Sequence, residues 1–329
     1  MVKANPIDAR LKRLAELTNE PDSEAAHADL RRCLHEASNL VVAKAAEIIG
    51  ERELTEFTDE LKSLWPPLCS EPERDRGCTA KTAIVDALAR LGFDDPDFCL
   101  AGMKYVQIEP GWPKASDTAV NVRGGCAALL ARSWRIGVND KLIAMTELLA
   151  DSERVARVHA VNAIADVGHE CVIPLLRVKV QCGDSEVEVT GACFSALLRL
   201  RPEESVPFVA RYLRHSNEQL VCEAAAALGE CGRPHAIQIL IETWKRTDDG
   251  DLNESLLISL GLSRHVLAVD FLVSVLTSVT KASETALRAL APNRFYPDIR
   301  QRVQAAVEAT KNGRLRAIFR ELFYTTTPA

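Results

Sequence analysis

The stretch VCEAAAALGECGRPHAIQILIETW, Val221 to Trp244, decides the fold. It sets two cysteines, a histidine and several glutamates among alanines and branched aliphatics, a mixture that suits either a metal or catalytic site or one unit of a repeat. A site needs ligands that converge once, whereas a repeat needs the same chemistry at the same phase many times. The pattern is a small residue, Ala-Leu, a short turn closed by glycine, and a second apolar helix. Anchored on the turn residue it recurs at Gly50, Gly92, Ser133, Gly168, Arg201, Gly232, Arg264 and Arg294, with separations of 42, 41, 35, 33, 31, 32 and 30 residues. Periods of this size mark a helical solenoid.

The columns keep their character without gaps. Five residues before the turn stand Ala87, Ala128, Ala163, Ala196, Ala227, Ser259 and Ala289, and one residue later Leu88, Leu129, Ile164, Leu197, Leu228, Leu260 and Leu290. The second helix repeats Ile173, Val206, Ile237 and Val269; Leu175, Phe208, Ile239 and Phe271; Leu176, Val209, Leu240 and Leu272; and Val180, Leu213, Trp244 and Leu276. This spacing predicts a wide apolar stripe on a helix. Asp151, Asp184 and Ser216 stand just before first helices, where a side-chain oxygen can cap an orphan N–H.

Composition agrees with an all-α chain. Of 329 residues 47% are hydrophobic but only 5% aromatic, a balance that favours close helix packing over sheets. A formal charge of −6 argues against nucleic acid, because no overall cationic field would draw phosphate backbones. Ten cysteines without a CxxC pair read as small buried hydrophobes in a reducing compartment. The opening MVKANPIDARLKRLAEL has no basic-then-apolar signal pattern and no apolar run is long enough to span a bilayer, so a cytoplasmic protein without membrane contact is expected.

The segment LVCEAAAALGECGRPHAIQILIETW resembles the short HEAT-like repeat of the phycobilisome-lyase type, Val-Arg-x-x-Ala-Ala-x-Ala-Leu-Gly, a turn, then Ala-(Ile/Val)-x-x-Leu. The resemblance is specific from Asp151 to Leu276, weaker from Arg74 to Ser133 and at ASETALRALAPN, and faint before Gly50. It implies a right-handed α-solenoid of stacked antiparallel helix pairs, about eight repeats, with second helices lining a concave face. A single domain over 1–329 is expected: irregular repeats with longer loops over 1–133, regular repeats over 134–280, and a divergent repeat and cap over 281–329. The repeat implies no one activity, since it serves adaptors and enzymes alike.

Other constellations fall short of chemistry. Two His-Glu dipeptides, His35-Glu36 and His169-Glu170, are of interest because deoxyhypusine hydroxylases, a HEAT-like family, hold two irons through four such pairs at equivalent phases. Here there are two, at different phases, and Cys222-Glu223 stands where that family places Arg-His-Glu. A thiolate zinc site needs four tetrahedral ligands, usually including a close cysteine pair on a tight turn, and no such pair exists. Cys193 shares its column with Ala160, Ala224 and Leu256, and Cys231 with Val167, Leu200 and Ser263, so both read as core. Gly124-Gly125 reads as a close helix contact, because no strand and no Lys-Ser/Thr accompany it. No catalytic residue, metal or cofactor is expected.

The exposed columns of the second helices, Val178, Arg211, Glu242 and Ser274 beside Gln181, Arg214, Lys245 and Thr277, are of mixed charge. That weakens a further alternative, the cationic groove of HEAT-like DNA-alkyl glycosylases. The insertion VQIEPGWPKASD, Val106 to Asp117, sets Trp112 in a Gly-Trp-Pro turn. Trp112 is expected to fold back and plug the longer gap between repeats; displayed instead, it would be an interface anchor. LWPPLCSEPERDRG, Leu64 to Gly77, reads as an exposed inter-repeat loop. The function expected is a non-catalytic scaffold for a protein or peptide partner, with Arg211, Arg214, Glu242, Lys245, Arg246 and Trp112 as contact residues. The alternative is a bilin-lyase-like enzyme or its partner subunit, which rests on the repeat resemblance alone.

Overall fold

The structure, a computed structural model, describes residues 6–278 and 280–324. Nineteen α-helices and one small hairpin are found among them. Two compact units divide the chain, Met1–His169 and Glu170–Ala329. The first contains α1 (Pro6–Leu17), α2 (Glu24–Leu34), α3 (Asn39–Glu51), α4 (Thr58–Ser70), α5 (Thr79–Arg90), α6 (Pro96–Met103), α7 (Val120–Arg132), α8 (Val138–Leu149) and α9 (Arg154–Asp166). Between α6 and α7 stand β1 (Ile108–Glu109) and β2 (Ser116–Asp117), an antiparallel pair with Ile108 opposite Asp117 and Glu109 opposite Ser116.

The second unit contains α10 (Val172–Cys182), α11 (Val187–Leu200), α12 (Pro202–Ala210), α13 (Glu218–Cys231), α14 (Pro234–Arg246), α15 (Gly250–Leu262), α16 (Val266–Thr277), α17 (Ala282–Leu290), α18 (Pro297–Thr310) and α19 (Gly313–Tyr324). No helix among the described residues is long and apolar enough to cross a membrane.

In the first unit α3, α5, α7 and α9 stack in order, with α4 against α5, α6 against α7 and α8 against α9. In the second unit α11, α13, α15 and α17 stack likewise, while α12, α14, α16 and α18 form a parallel row. At Ser259 and Ala289 the small column five residues before the turn has a mechanical reason. Gly229 and Gly261, three residues before their turns, face Ser259 and Ala289: an added Cβ would lie 2.0 Å from the Ser259 carbonyl oxygen and 2.1 Å from that of Ala289. Backbone therefore meets backbone, and bulk at either position would push the helices apart.

The same contact corrects the register of the earliest repeat. Gly50 is not a turn residue: it lies inside α3, buried, where a Cβ would come 2.8 Å from Ala87 Cα. The turn falls three residues on, at Glu53, whose φ is 54°. Gly92, Gly168 and Gly232, by contrast, do occupy the left-handed region at 71°, 70° and 62°, where glycine avoids the Cβ penalty.

Helix starts also shift. Asp151 and Asp184 stand two residues before the cap positions Glu153 and Glu186, and accept hydrogen bonds from those residues' N–H groups at 2.8 and 3.0 Å. They shape the turn into the helix rather than cap it. In SNEQL the cap is Asn217, which accepts from Leu220 N–H at 3.2 Å, and not Ser216. Of the four second-helix columns, that of Leu176, Val209, Leu240 and Leu272 is buried throughout, whereas Ile173, Leu175, Ile239, Trp244 and Phe271 in the others are only half-buried.

Candidate functional site

LWPPLCSEPERDRG does not form an exposed loop. Its first half continues α4 through Pro66 and Pro67, and its second half folds inward so that Asp75 is fully buried. The reason lies in an orphan carbonyl. Leu68 C=O would be satisfied by the N–H four residues on, but that residue is Pro72, which has none. Lys81 Nζ supplies the donor at 3.0 Å. A fully buried ammonium requires a counter-charge, and Asp75 Oδ2 stands 3.0 Å away. The Asp75 carboxylate also accepts from Ala80 N–H at 2.9 Å, Lys81 N–H at 3.0 Å and Asn39 Nδ2 at 3.2 Å.

The hairpin is fastened to this pair. Gln107 Nε2 donates to Asp75 C=O at 2.9 Å and to Glu109 Oε1 at 2.6 Å, and Tyr105 Oη donates to Gln107 Oε1 at 2.7 Å. Glu109 Oε1 further accepts from Gly77 N–H at 2.7 Å and Thr118 Oγ1 at 3.0 Å. Burial raises the Glu109 carboxyl, but the bonds from Gly77, Gln107 and Thr118 with nearby Arg76 outweigh it and hold the group below its ordinary range.

At the base of the hairpin a second buried cation closes the frame. Arg123 Nη1 donates to Asp117 Oδ2 at 2.6 Å and to Tyr105 C=O at 3.0 Å. Its Nε lies 3.0 Å from Asp151 Oδ2, an ion pair off the N–H direction, while Nη2 reaches Asp151 Oδ1 at 3.3 Å.

The strand is therefore inverted relative to a usual half-buried one. Tyr105, Gln107 and Glu109 face inward, with Gln107 only 5% exposed, while Val106 and Ile108 on the other face are 55% and 63% exposed. Beyond the strand Pro110 is exposed, and Trp112, in the turn at the hairpin tip, is 96% exposed. The expectation that Trp112 plugs an inter-repeat gap is thus corrected: the polar residues of the insertion fill that space and the indole is displayed. Gly111 permits the tip, since a Cβ there would come 2.9 Å from Lys114 C=O. An open groove of about 470 Å³ runs beside the strand, lined by Pro72, Glu73, Arg76, Tyr105, Val106 and Ile108 among others. Cys69 also lines it, its thiol pushed up to about 11 by burial.

The remaining residues anticipated as contacts lie in the second unit. Arg211 and Arg214 sit exposed on the 3₁₀ turn after α12, and the Arg211 guanidinium lies 4.7 Å from the centre of the Phe208 ring. On α14 Glu242 accepts from Gln238 Nε2 at 3.1 Å and pairs with Arg246 at 3.6 Å. Lys245 stands 5.9 Å over the Phe271 ring, which Trp244 also meets edge-on. Glu242 and Arg246 are thus brought together, Arg211 and Lys245 each rest on an aromatic ring, and Trp112 belongs to the other unit.

Of the cysteines, Cys33, Cys78, Cys99, Cys126 and Cys193 are buried, Cys69, Cys171 and Cys231 intermediate. Cys182 and Cys222 depart from the expected burial and are exposed, Cys222 Sγ lying 3.4 Å from Ser255 Oγ. His35 Nε2 pairs with Glu60 Oε1 at 3.1 Å, and His169 and Glu170 are exposed between α9 and α10. Among the described residues no three His, Cys, Asp or Glu side chains are placed to share a metal ion. Gly124 and Gly125 are close helix contacts, against His159 and Val85.

The stacked helix pairs, with their glycine contacts, define an all-α protein built of repeats. Residues 178–261 match the family model described as HEAT repeats. No curated protein sequence matches it. Among solved structures it is similar to the complex of CpcE and CpcF of phycocyanin lyase from Nostoc sp. PCC7120, at 16% identity and a TM-score of 0.37, covering 89% of this chain and 96% of that one. It is similar also to human deoxyhypusine hydroxylase in complex with glycerol, at 18% identity and a TM-score of 0.30, covering 79% and 91%. At these values neither likeness assigns an activity.

Proposed function

We propose that this protein is a non-catalytic scaffold that binds a protein partner through the Trp112 hairpin of its first unit. The observation that carries this reading is the inverted strand: polar side chains are locked inside by buried ion pairs while Val106, Ile108 and Trp112 are turned to water. Leaving a large apolar side chain exposed forgoes its transfer free energy of roughly 1.5–3 kcal/mol. An anchor held by a fixed frame recovers that energy on binding with little ordering cost. A Trp flanked by aliphatic residues matches the composition of interface hot spots.

The charges of the second unit, Arg211, Arg214, Glu242, Lys245 and Arg246, are proposed as a second contact patch. Their mixed signs would serve selectivity more than affinity. The test is affinity capture from the organism of origin with the full-length chain as bait, in parallel with Trp112→Ala and with Arg211, Arg214 and Lys245 reversed to Glu. A partner retained by the native chain and lost with Trp112→Ala supports the hairpin. Capture indifferent to Trp112 but lost on charge reversal moves the function to the second unit, and no specific capture by any bait contradicts both.

A further inference from the structure

We infer that the occupant of the groove beside the hairpin is the hairpin tip of a second copy of this chain, so that two copies exchange Trp112 across a two-fold axis. The inference rests on reading the hairpin as a contact surface and adds who the partner is. A two-fold interface requires one patch to carry both a projection and its complement. Here both are built on one hairpin: Val106 and Ile108 form a wall of the groove, and Trp112 stands exposed at the tip.

The groove suits this tip in three respects. Its volume of about 470 Å³ lies inside the range of roughly 300–1,000 Å³ that accommodates a ligand of several rings, more than an indole needs. Its walls offer Pro72, Tyr105, Val106 and Ile108 for the ring faces, and the exposed Arg76 can place a guanidinium over the indole. Its rim carries Glu73, exposed and with no ion pair among the described residues, while Lys114 stands exposed two residues after Trp112 on the incoming tip. Entry of Trp112 thus brings Lys114 of one copy toward Glu73 of the other. A single Trp buries roughly 150–250 Å². Two reciprocal insertions therefore bury roughly 300–500 Å² through the indoles, well below the roughly 1,200 Å² of a stable interface, which fits a weak, reversible dimer.

The test is sedimentation equilibrium of the full-length chain up to about 100 μM, a range that reveals micromolar association. The expected result is a monomer–dimer equilibrium that Trp112→Ala weakens at least about tenfold, as a central anchor should. Lys114→Glu and Glu73→Lys should each weaken the dimer, and the two combined should restore it, because the pair is then reversed rather than removed. Trp112 packs on solvent, so its variant should keep the native circular dichroism spectrum. A wild-type chain that stays monomeric overturns the inference, as does a dimer indifferent to Trp112→Ala or a charge swap that fails to rescue. If the chain is monomeric yet Trp112→Ala abolishes capture of a different protein, the hairpin remains a contact surface and only the second-copy occupant is wrong. If neither self-association nor capture depends on Trp112, both readings fall.

Discussion

Asp75→Ala is expected to be among the most damaging single substitutions in the first unit. The carboxylate is fully buried and takes four donors: Ala80 N–H, Lys81 N–H, Asn39 Nδ2 and Lys81 Nζ, all within 3.2 Å. Its loss leaves the buried Lys81 ammonium with only Leu68 C=O at 3.0 Å and the Tyr105 ring at 5.4 Å. An uncompensated buried charge costs about 3–5 kcal/mol, against a total stability of about 5–15 kcal/mol for a domain. Lys81→Met should be milder, about 1–3 kcal/mol, because Asp75 retains two backbone N–H donors and Asn39 while Leu68 C=O loses one. The double variant Asp75→Ala/Lys81→Met should be more stable than Asp75→Ala alone, since it removes the stranded charge.

Urea unfolding followed by circular dichroism and tryptophan fluorescence measures all three; Trp65, buried and packed 4.9 Å from Phe98 and 6.0 Å from Tyr105, reports on this unit. A loss under about 1 kcal/mol for Asp75→Ala, or a double variant less stable than the single, would refute the claim that a buried ion pair fastens the hairpin.

Gly229→Ala should destabilise by about 1–3 kcal/mol in the same assay, because the new Cβ meets the Ser259 backbone at 2.0 Å and rigid overpacking is costly. Gly191→Ala should be far milder, since there the Cβ meets the Glu223 carboxylate, the end of a flexible side chain, and helix propensity improves. Glu109 has a folded-state pKa below its ordinary 4.5, so its stabilising share is fully present above that value and is lost as pH falls through the lower folded one. Urea midpoints taken from pH 6 downward should therefore fall less steeply for Glu109→Gln than for the native chain. In native buffer, timed alkylation with mass spectrometry should label Cys182 and Cys222 first. Cys99 and Cys193, whose thiols burial pushes up to about 12, should label last.

The repeat was legible because it is enforced by packing that recurs at fixed phase. Ala87, Ser259 and Ala289 are small where the backbone of Gly50, Gly229 and Gly261 comes against them, so the column survives in one sequence. Register was less secure where one residue type serves two purposes. Gly50 supplies close approach, whereas Gly232 supplies a left-handed turn, and the letter G does not distinguish them.

The buried frame was illegible for the opposite reason. Asp75, Lys81, Gln107, Asp117 and Arg123 are drawn together once, from scattered positions, and SEPERDRG has the composition of a solvated loop. The available signal was local: Tyr-Val-Gln-Ile-Glu alternates with period two inside a helical chain, which marks a strand with one polar and one apolar face. Which face turns inward is set by Lys81 and Asp75, and that choice decides whether Trp112 is core or surface.

Trp112 is proposed as an anchor for another polypeptide. The most direct test is to replace Trp112 in the full-length chain with a photoreactive benzophenone amino acid and irradiate in extract of the organism of origin, with the same group at Glu24, exposed on α2, as control. A discrete cross-linked species is expected from position 112 and none from position 24. Equal labelling from both positions, or none from 112, would contradict it.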